Sequence, residues 1–358
     1  MRVLTAFLMG LLGVLVLTPV ARRLAMALDI VDYPGRRKVH RKPVPRLGGV
    51  AVFLGWLSAI AVATHFPRDA ELITTLGPVL GAAWLVVVFG VIDDWRNVPG
   101  KPKLLAQALL ATVVYWAGMR IDRLTNPFGG ELLFPPPLSF VLTLLWIVGM
   151  MNSVNLIDGL DGLAAGVVAI ASTGLIAAGL YVESQASVII LAALAGACVG
   201  FLRYNFHPAQ LFLGDSGSQF LGFALAVAAL VDQQYKAAAA VAFLIPLTAL
   251  ALPILDTGLA FVRRIQLRQS IFRADKYHLH HRLLRLGLSH RQVVLFLYLI
   301  SGYLSLMSFL FVLIKDRYAV VLLGLLTLGM FVAMLAFRFV ELRFMSFRRQ
   351  YGRSVRRR

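Results

Sequence analysis

Asn152, Asn155, Asp158 and Asp161 stand three residues apart at the end of an otherwise apolar segment. A membrane helix does not carry carboxylates there without a use for them. On a helix a three-residue step advances about 300°, so successive members sit on adjacent turns while the set drifts through about half a circle. Gly159 and Gly162 let the backbone open. The pattern suits side chains that converge on one polar ligand or cation from the water-facing mouth of a bundle.

Further acids fall at or just inside span ends: Asp93 and Asp94, Asp215, and Asp256. Carboxylates about 6 Å apart repel by roughly 3 kcal/mol per pair at an effective dielectric near 20, so a cluster of them needs a cation. Oxygen donors without paired cysteines or a dense histidine cage favour Mg²⁺, or Mn²⁺, over zinc. Blander readings exist for each acid. Asp93-Asp94 would serve as a solvated helix end, Asp215 as an N-cap of the next helix, and Asp256 as a partner for Arg263 or Arg264. An N-cap role and metal binding at Asp215 are compatible. His278, His280 and His281 crowd the longest charged loop, where imidazoles bind a metal, donate to phosphate oxygens or shuttle protons. Arg46 closes a basic stretch from Arg36 that also holds Lys38, Arg41 and Lys42 and runs into Gly48-Gly49, and phosphate groups match such donors. Together these residues describe a site for a metal-bound diphosphate beside the bilayer, with a lipid phosphate as the natural second substrate.

The elements that must hold them are membrane helices. The chain is 59% hydrophobic and 15% charged over 358 residues, with a mean hydropathy of +0.80, which describes an all-α polytopic membrane bundle. Runs long enough to cross the hydrocarbon fall at 3–21, 48–65, 72–92, 103–119, 138–154, 162–181, 187–202, 217–231, 237–262, 292–314 and 318–340, about eleven spans. Short connections make 1–340 one catalytic domain, followed by a basic tail, 341–358. Segments 22–47, 93–103, 203–216, 263–291 and 338–358 hold 28 of the 35 Lys and Arg. Loops rich in them stay cytoplasmic, so the amino terminus is expected outside, the tail inside and the acids on the cytoplasmic face. The first apolar run reads as a retained span rather than a signal peptide. The net charge of +18 follows from topology and anionic headgroups, and nucleic acid is not an expected partner. Cys198, the single cysteine, excludes a disulfide within the chain.

The ordered set Pro45-Arg-Leu-Gly-Gly49, Asp93-Asp94, Asn152 to Asp161, Asn205-Phe-His-Pro-Ala209 with Gly214-Asp-Ser-Gly-Ser218, and His278-Leu-His-His281 resembles the polyprenyl-phosphate N-acetylhexosamine-1-phosphate transferase family over nearly the whole chain. The resemblance implies transfer of a sugar 1-phosphate from a UDP-sugar to undecaprenyl phosphate with release of UMP, in a bacterial cytoplasmic membrane and with Mg²⁺. The muramoyl-pentapeptide translocase branch resembles the chain less, because His-Leu-His-His and Arg-Leu-Gly-Gly stand where it has a consecutive His triplet and Thr-Met-Gly-Gly. The UDP-N-acetylglucosamine branch, which starts O-antigen, common antigen or teichoic acid units, is the nearer one. Carried over, Asp93 or Asp94 would activate the lipid phosphate and Asp215, with Asp158, would hold the metal. Asn155, Asp158 and Asp161 would orient nucleotide and metal, with Asn152 beside them. His280 and His281, with His278 and basic residues such as Arg46, would grip phosphate or sugar. A homodimer is compatible with the sequence.

Two other protein classes share parts of this pattern. A secondary transporter would place acids near the bilayer midplane and show half-chain repeats, whereas these acids crowd the span ends. A CDP-alcohol phosphatidyltransferase begins Asp-x-x-Asp-Gly-x-x-Ala-Arg. Asp158 to Ala165 imitates that start, but Gly166 replaces the Arg and the next carboxylate is Glu183.

Overall fold

The computed structural model describes residues 1–34, 43–66, 68–125, 131–181, 183–231, 254, 283–284, 286–313, 318, 321 and 329. Nine helices lie among them: α1 (Arg2–Ala27), α2 (Gly48–His65), α3 (Ala70–Arg96), α4 (Gly100–Trp116), α5 (Pro136–Ile157), α6 (Leu163–Tyr181), α7 (Gln185–Asn205), α8 (Gly214–Ala228) and α9 (His290–Leu313). Each overlays one of the expected spans. Those expected at 237–262 and 318–340 lie almost wholly outside the described residues, as does the basic tail. Seven of the nine are long and apolar enough to cross a membrane, and the chain is a multi-pass membrane protein. Two short antiparallel hairpins add to the helices: β1 (Val31–Asp32) with β2 (Val44–Pro45), and β3 (Arg123–Thr125) with β4 (Glu131–Leu133).

The side chains are sorted as a lipid solvent requires. Along α1 the large residues Leu4, Leu8, Leu12, Val16, Val20 and Leu24 are exposed, while Ala6, Gly10, Val14, Thr18, Ala21 and Ala25 are buried. Lipid tails are as apolar as leucine, so helices associate through close packing of small residues rather than by hiding large ones. The contact between α1 and α7 uses this device. Gly196 and Gly200, four apart, admit the α1 backbone so closely that an added Cβ would lie 1.9 Å from the Phe7 carbonyl oxygen and 2.6 Å from that of Leu11.

Helix α8 is the axis of the bundle. Every residue from Ser216 to Ala228 is buried, with α3, α5, α2, α7 and α6 packed around it. Phe220 meets Phe53 and Trp56 of α2 edge-on, with centroids 5.3 and 5.1 Å away. From α1 to α8 successive helices reverse direction, so the ends of α1, α3, α5 and α7 share one end of the bundle with the starts of α2, α4, α6 and α8, and α9 also begins there, with His290 beside Asp161 and His207. Every acid of the expected site that the structure describes lies at that end. At the other end Arg2 pairs with Asp69 at 2.6 Å, and the Asp69 carboxylate caps α3 by accepting from Leu72 N–H at 3.0 Å.

Candidate functional site

The site begins with how α8 starts. Its N-cap, Leu213, offers no side-chain acceptor, and the first N–H groups of a helix have no partner within the helix. Asp94, on the last turn of α3, supplies the acceptor from another helix. Its carboxylate takes Asp215 N–H at 2.7 Å, Ser216 N–H at 3.0 Å and the Ser216 hydroxyl at 2.6 Å. The anion also faces the positive end of the helix dipole. Asp215 is therefore a first-turn residue rather than the N-cap of the blander reading. Gly214 makes the approach feasible. It has φ +76°, and an added Cβ would fall 2.6 Å from an Asp94 oxygen and 2.6 Å from the Arg46 carbonyl. The Pro45–Gly49 segment is joined to this turn by backbone pairing: Phe212 N–H donates to Pro45, Gly48 N–H to Phe212 and Gly49 N–H to Leu213, at 2.8, 3.0 and 2.8 Å.

From Asp215 a chain of polar contacts passes around four helices. Lys103, near the start of α4, bridges two carboxylates, with its Nζ on Asp215 and 2.8 Å from Asp93. Asp93 also accepts from Gln219 at 3.2 Å and from Val98 N–H at 3.0 Å. Gln107 donates to Gln219 at 3.1 Å and accepts from Asn152 at 2.6 Å. One turn further along α5, Asn155 donates to Asp215 at 2.7 Å and to the Ser218 hydroxyl at 2.8 Å. The network thus starts and ends on α5. Asn152 and Asn155 bind neighbouring helices, and Asp93 and Asp94, 3% and 5% exposed, have both oxygens occupied by protein donors.

Asp158 differs. Helix α5 ends at Ile157, and the Asp158 side chain stands in the following turn, partly exposed. Among the described residues no hydrogen-bond donor reaches its carboxylate. Burial, then the charges of Asp215 and Asp94, push its pKa well above the usual carboxylate range, and the Arg46 guanidinium opposes them. Arg46 is itself paired with Asp32. A half-buried carboxylate repelled by two others and lacking a donor is the local condition that a bound cation relieves, and the oxygen donors of Asp158 and Asp215 fit Mg²⁺ chemistry.

Asp161 is turned elsewhere. The backbone bends through Gly162, at φ +79°, and Asp161 meets His207 Nδ1 at 2.8 Å and Ala209 N–H at 3.1 Å. The four residues at three-residue spacing therefore divide, with Asn155 and Asp158 near Asp215, Asn152 on Gln107 and Asp161 on His207. His278, His280, His281, Asp256, Lys38, Arg41 and Lys42 lie outside the described residues.

Lys103, Gln107 and Gln219 carry this network and stand outside the motifs read from the sequence, whereas Ser218 belongs to the Gly214–Ser218 motif. A signal existed: Lys103 and Gln107 are polar residues one turn apart on a helix that is largely apolar from Leu104 onward. Their partners on α8, Asp215 and Gln219, are each 112 residues away, which no local pattern reveals.

The family described as Glycosyl transferase family 4 matches residues 76–233, which include Asp93, Lys103, Asn152 to Asp161 and Asp215. A protein of Bacillus subtilis (strain 168) named "Probable undecaprenyl-phosphate N-acetylglucosaminyl 1-phosphate transferase" is 39% identical over 308 residues, 85% of this chain and 84% of that one. The decaprenyl-phosphate N-acetylglucosaminephosphotransferase of Mycobacterium leprae (strain TN) is 37% identical over 323 residues, covering 84% and 79%. The undecaprenyl-phosphate alpha-N-acetylglucosaminyl 1-phosphate transferase of Escherichia coli (strain K12) is 28% identical over 296 residues, covering 80% and 77%.

Proposed function

The chain belongs to glycosyl transferase family 4, and from that membership we propose that it transfers N-acetylglucosamine 1-phosphate from UDP-N-acetylglucosamine to undecaprenyl phosphate. An oxygen of the lipid phosphate forms a bond to the sugar-bearing phosphorus, the bond from that phosphorus to UMP breaks, and UMP leaves with the electron pair. The nucleophile is already an anion. A base is needed only for the fraction that arrives protonated, since a phosphomonoester has its second pKa near 6.

The observation that carries this reading is the contrast between Asp158 and its neighbours. Asp93 and Asp94 are fully engaged with donors of the bundle, while Asp158, whose ionised form burial and the charge of Asp215 disfavour, has no donor among the described residues. Phosphoryl transfer is mostly positioning and charge neutralisation, and Asp158 with Asp215 would hold Mg²⁺, which supplies that neutralisation across the diphosphate. Asn155 fixes the Asp215 carboxylate, Lys103 ties it to α3 and α4, and Asp94 fixes the helix start that carries it. Asp93 and Asp94 serve in this scheme by placing Asp215, and the histidines of 278–281 by gripping phosphate.

The further parts of the reading rest on charge and pattern. Eleven spans, an outside amino terminus and a cytoplasmic site agree with the 28 basic residues on one side and with the cytosolic origin of UDP-sugars. The polymer supplied belongs to the cell envelope. The test is a membrane assay with labelled UDP-N-acetylglucosamine and UDP-N-acetylmuramoyl-pentapeptide, each with undecaprenyl phosphate. Lipid-linked product and UMP from the first alone are expected, and product from the second alone would move the chain to the translocase branch.

A further inference from the structure

Three donor-bearing side chains outside the Asp158–Asp215 end of the site meet where α9 crosses two loops. Asp161 lies in the turn between α5 and α6, His207 in the loop between α7 and α8, and His290 is the first residue of α9. One ligand atom from each lies within 4.8 Å of the other two. The imidazoles are stacked, with centroids 4.2 Å apart and planes 17° from parallel. His207 Nδ1 is 2.8 Å from the Asp161 carboxylate, which also accepts from Ala209 N–H at 3.1 Å. His290 Nε2 is 3.4 Å from the Asp161 backbone carbonyl, and its Nδ1 is buried without a hydrogen-bond partner.

We propose that Asp161, His207 and His290 form a binding site for a borderline divalent transition metal of the Zn²⁺ type, separate from the oxygen site at Asp158 and Asp215. Two imidazoles and one carboxylate are the donor set such ions select, whereas Mg²⁺ prefers oxygen throughout. Metal–nitrogen bonds of about 2.0–2.1 Å put tetrahedral ligand atoms roughly 3.3 Å apart, so donors now within 4.8 Å are near coordination range, and binding requires one imidazole to turn out of the stack so that the ion lies in the plane of both rings. A neutral His207 needs only to move its proton from Nδ1 to Nε2 to offer the lone pair. Two neighbouring rings that would repel as imidazolium ions are both held neutral by coordination. Arg291, whose guanidinium donates to the His207 carbonyl at 3.3 Å, is the nearby cation that opposes binding and limits affinity. The ion would fasten α9 to the turn that carries Asp158.

The competing reading is an Asp161–His207 hydrogen bond with a stacked neighbour and no ion. The full chain is purified in detergent without a histidine tag, stripped with EDTA and titrated with Co²⁺, whose visible ligand-field absorption reports a nitrogen-rich tetrahedral site. His278, His280 and His281 are replaced by Ala in the background so that they contribute nothing. Saturation at one equivalent, displacement by Zn²⁺ and at least fivefold loss of the band in His207→Ala and in His290→Ala are expected, with the band retained in Asp215→Asn. His290→Gln and His207→Asn, checked by gel filtration, stand in if an alanine variant does not fold. No band in the background protein, an unchanged band in the His207 and His290 variants, or loss in Asp215→Asn would each overturn the site.

Discussion

Lys103 should be the most consequential cation in the described part of the bundle, and replacing it with Met measures that. Met keeps most of the apolar stem and removes the ammonium, with its charge and its donors. The contact with Asp93 at 2.8 Å has a gross attraction of about 6 kcal/mol at an effective dielectric near 20, most of which offsets desolvation. Removing one partner of a buried pair costs about 3–5 kcal/mol, because the other charge stays buried alone. The weight falls on Asp93, whose side chain is 3% exposed, rather than on Asp215 at 27%. Gln219 and Val98 still donate to Asp93, which places the cost at the lower end, about 3 kcal/mol. At roughly 2 °C per kcal/mol for a chain of this size, Lys103→Met should melt about 5 °C lower in detergent. Asp93→Asn in the same protein removes the stranded charge and should recover at least half of that loss. A single variant within about 1 °C of the parent, or a double variant whose loss equals the sum of the two singles, would refute the reasoning.

Asp158 should make stability fall as pH rises: an acid whose folded pKa is raised binds more protons folded than unfolded, so stability is lost from the ordinary carboxylate range upward until the folded pKa is passed. In EDTA, Asp158→Asn should flatten the melting temperature across that interval, and an unchanged slope would show that Asp158 is not the group responsible. Gly196→Leu should lower the melting temperature by several degrees, because its Cβ would meet the Phe7 carbonyl at 1.9 Å and overpacking costs about 1–3 kcal/mol or more. Gly149→Leu, where nothing lies within 4 Å, is the control and should melt with the parent. A cysteine replacing Arg22 should react only with membrane-permeant reagents in intact cells and one replacing Glu71 with impermeant ones, Cys198 being buried; the opposite pattern would invert the proposed orientation.

The helices were legible because hydrophobic length is a local property: the run expected at 72–92 is the middle of α3, and the residues beyond it, Asp93 and Asp94, form its last turn. What the sequence hid was direction. Three-residue spacing suggested that Asn152 to Asp161 converge, yet helix geometry ends at Ile157 and the bend at Gly162 swings Asp161 toward His207. A periodic pattern describes side chains only while the helix continues. Asp215 as a helix cap was equally reasonable from local chemistry, and the cap arrives instead from Asp94, 121 residues earlier. Such a partner is set by how α3 packs on α8, and spacing within either segment carries no trace of it.

The energetics of the polar network explain why one carboxylate remains available. In an apolar bundle an unpaired buried polar group costs about 1–3 kcal/mol, and among the described residues the buried side-chain atoms lacking a partner are Ser172 Oγ, His290 Nδ1 and Ser301 Oγ. None belongs to the ring from Asn152 through Gln107, Gln219, Asp93, Lys103 and Asp215 to Asn155. Each member is satisfied by another, so the network has little to gain from reorganising around a ligand. Asp158 differs from the ring, because burial and the charges of Asp215 and Asp94 act against its ionised form. Two parts of one motif thus do opposite work. Asn152 and Asn155 spend their hydrogen bonds on holding helices together, which leaves Asp158 as the group to which the proposed function assigns the cation.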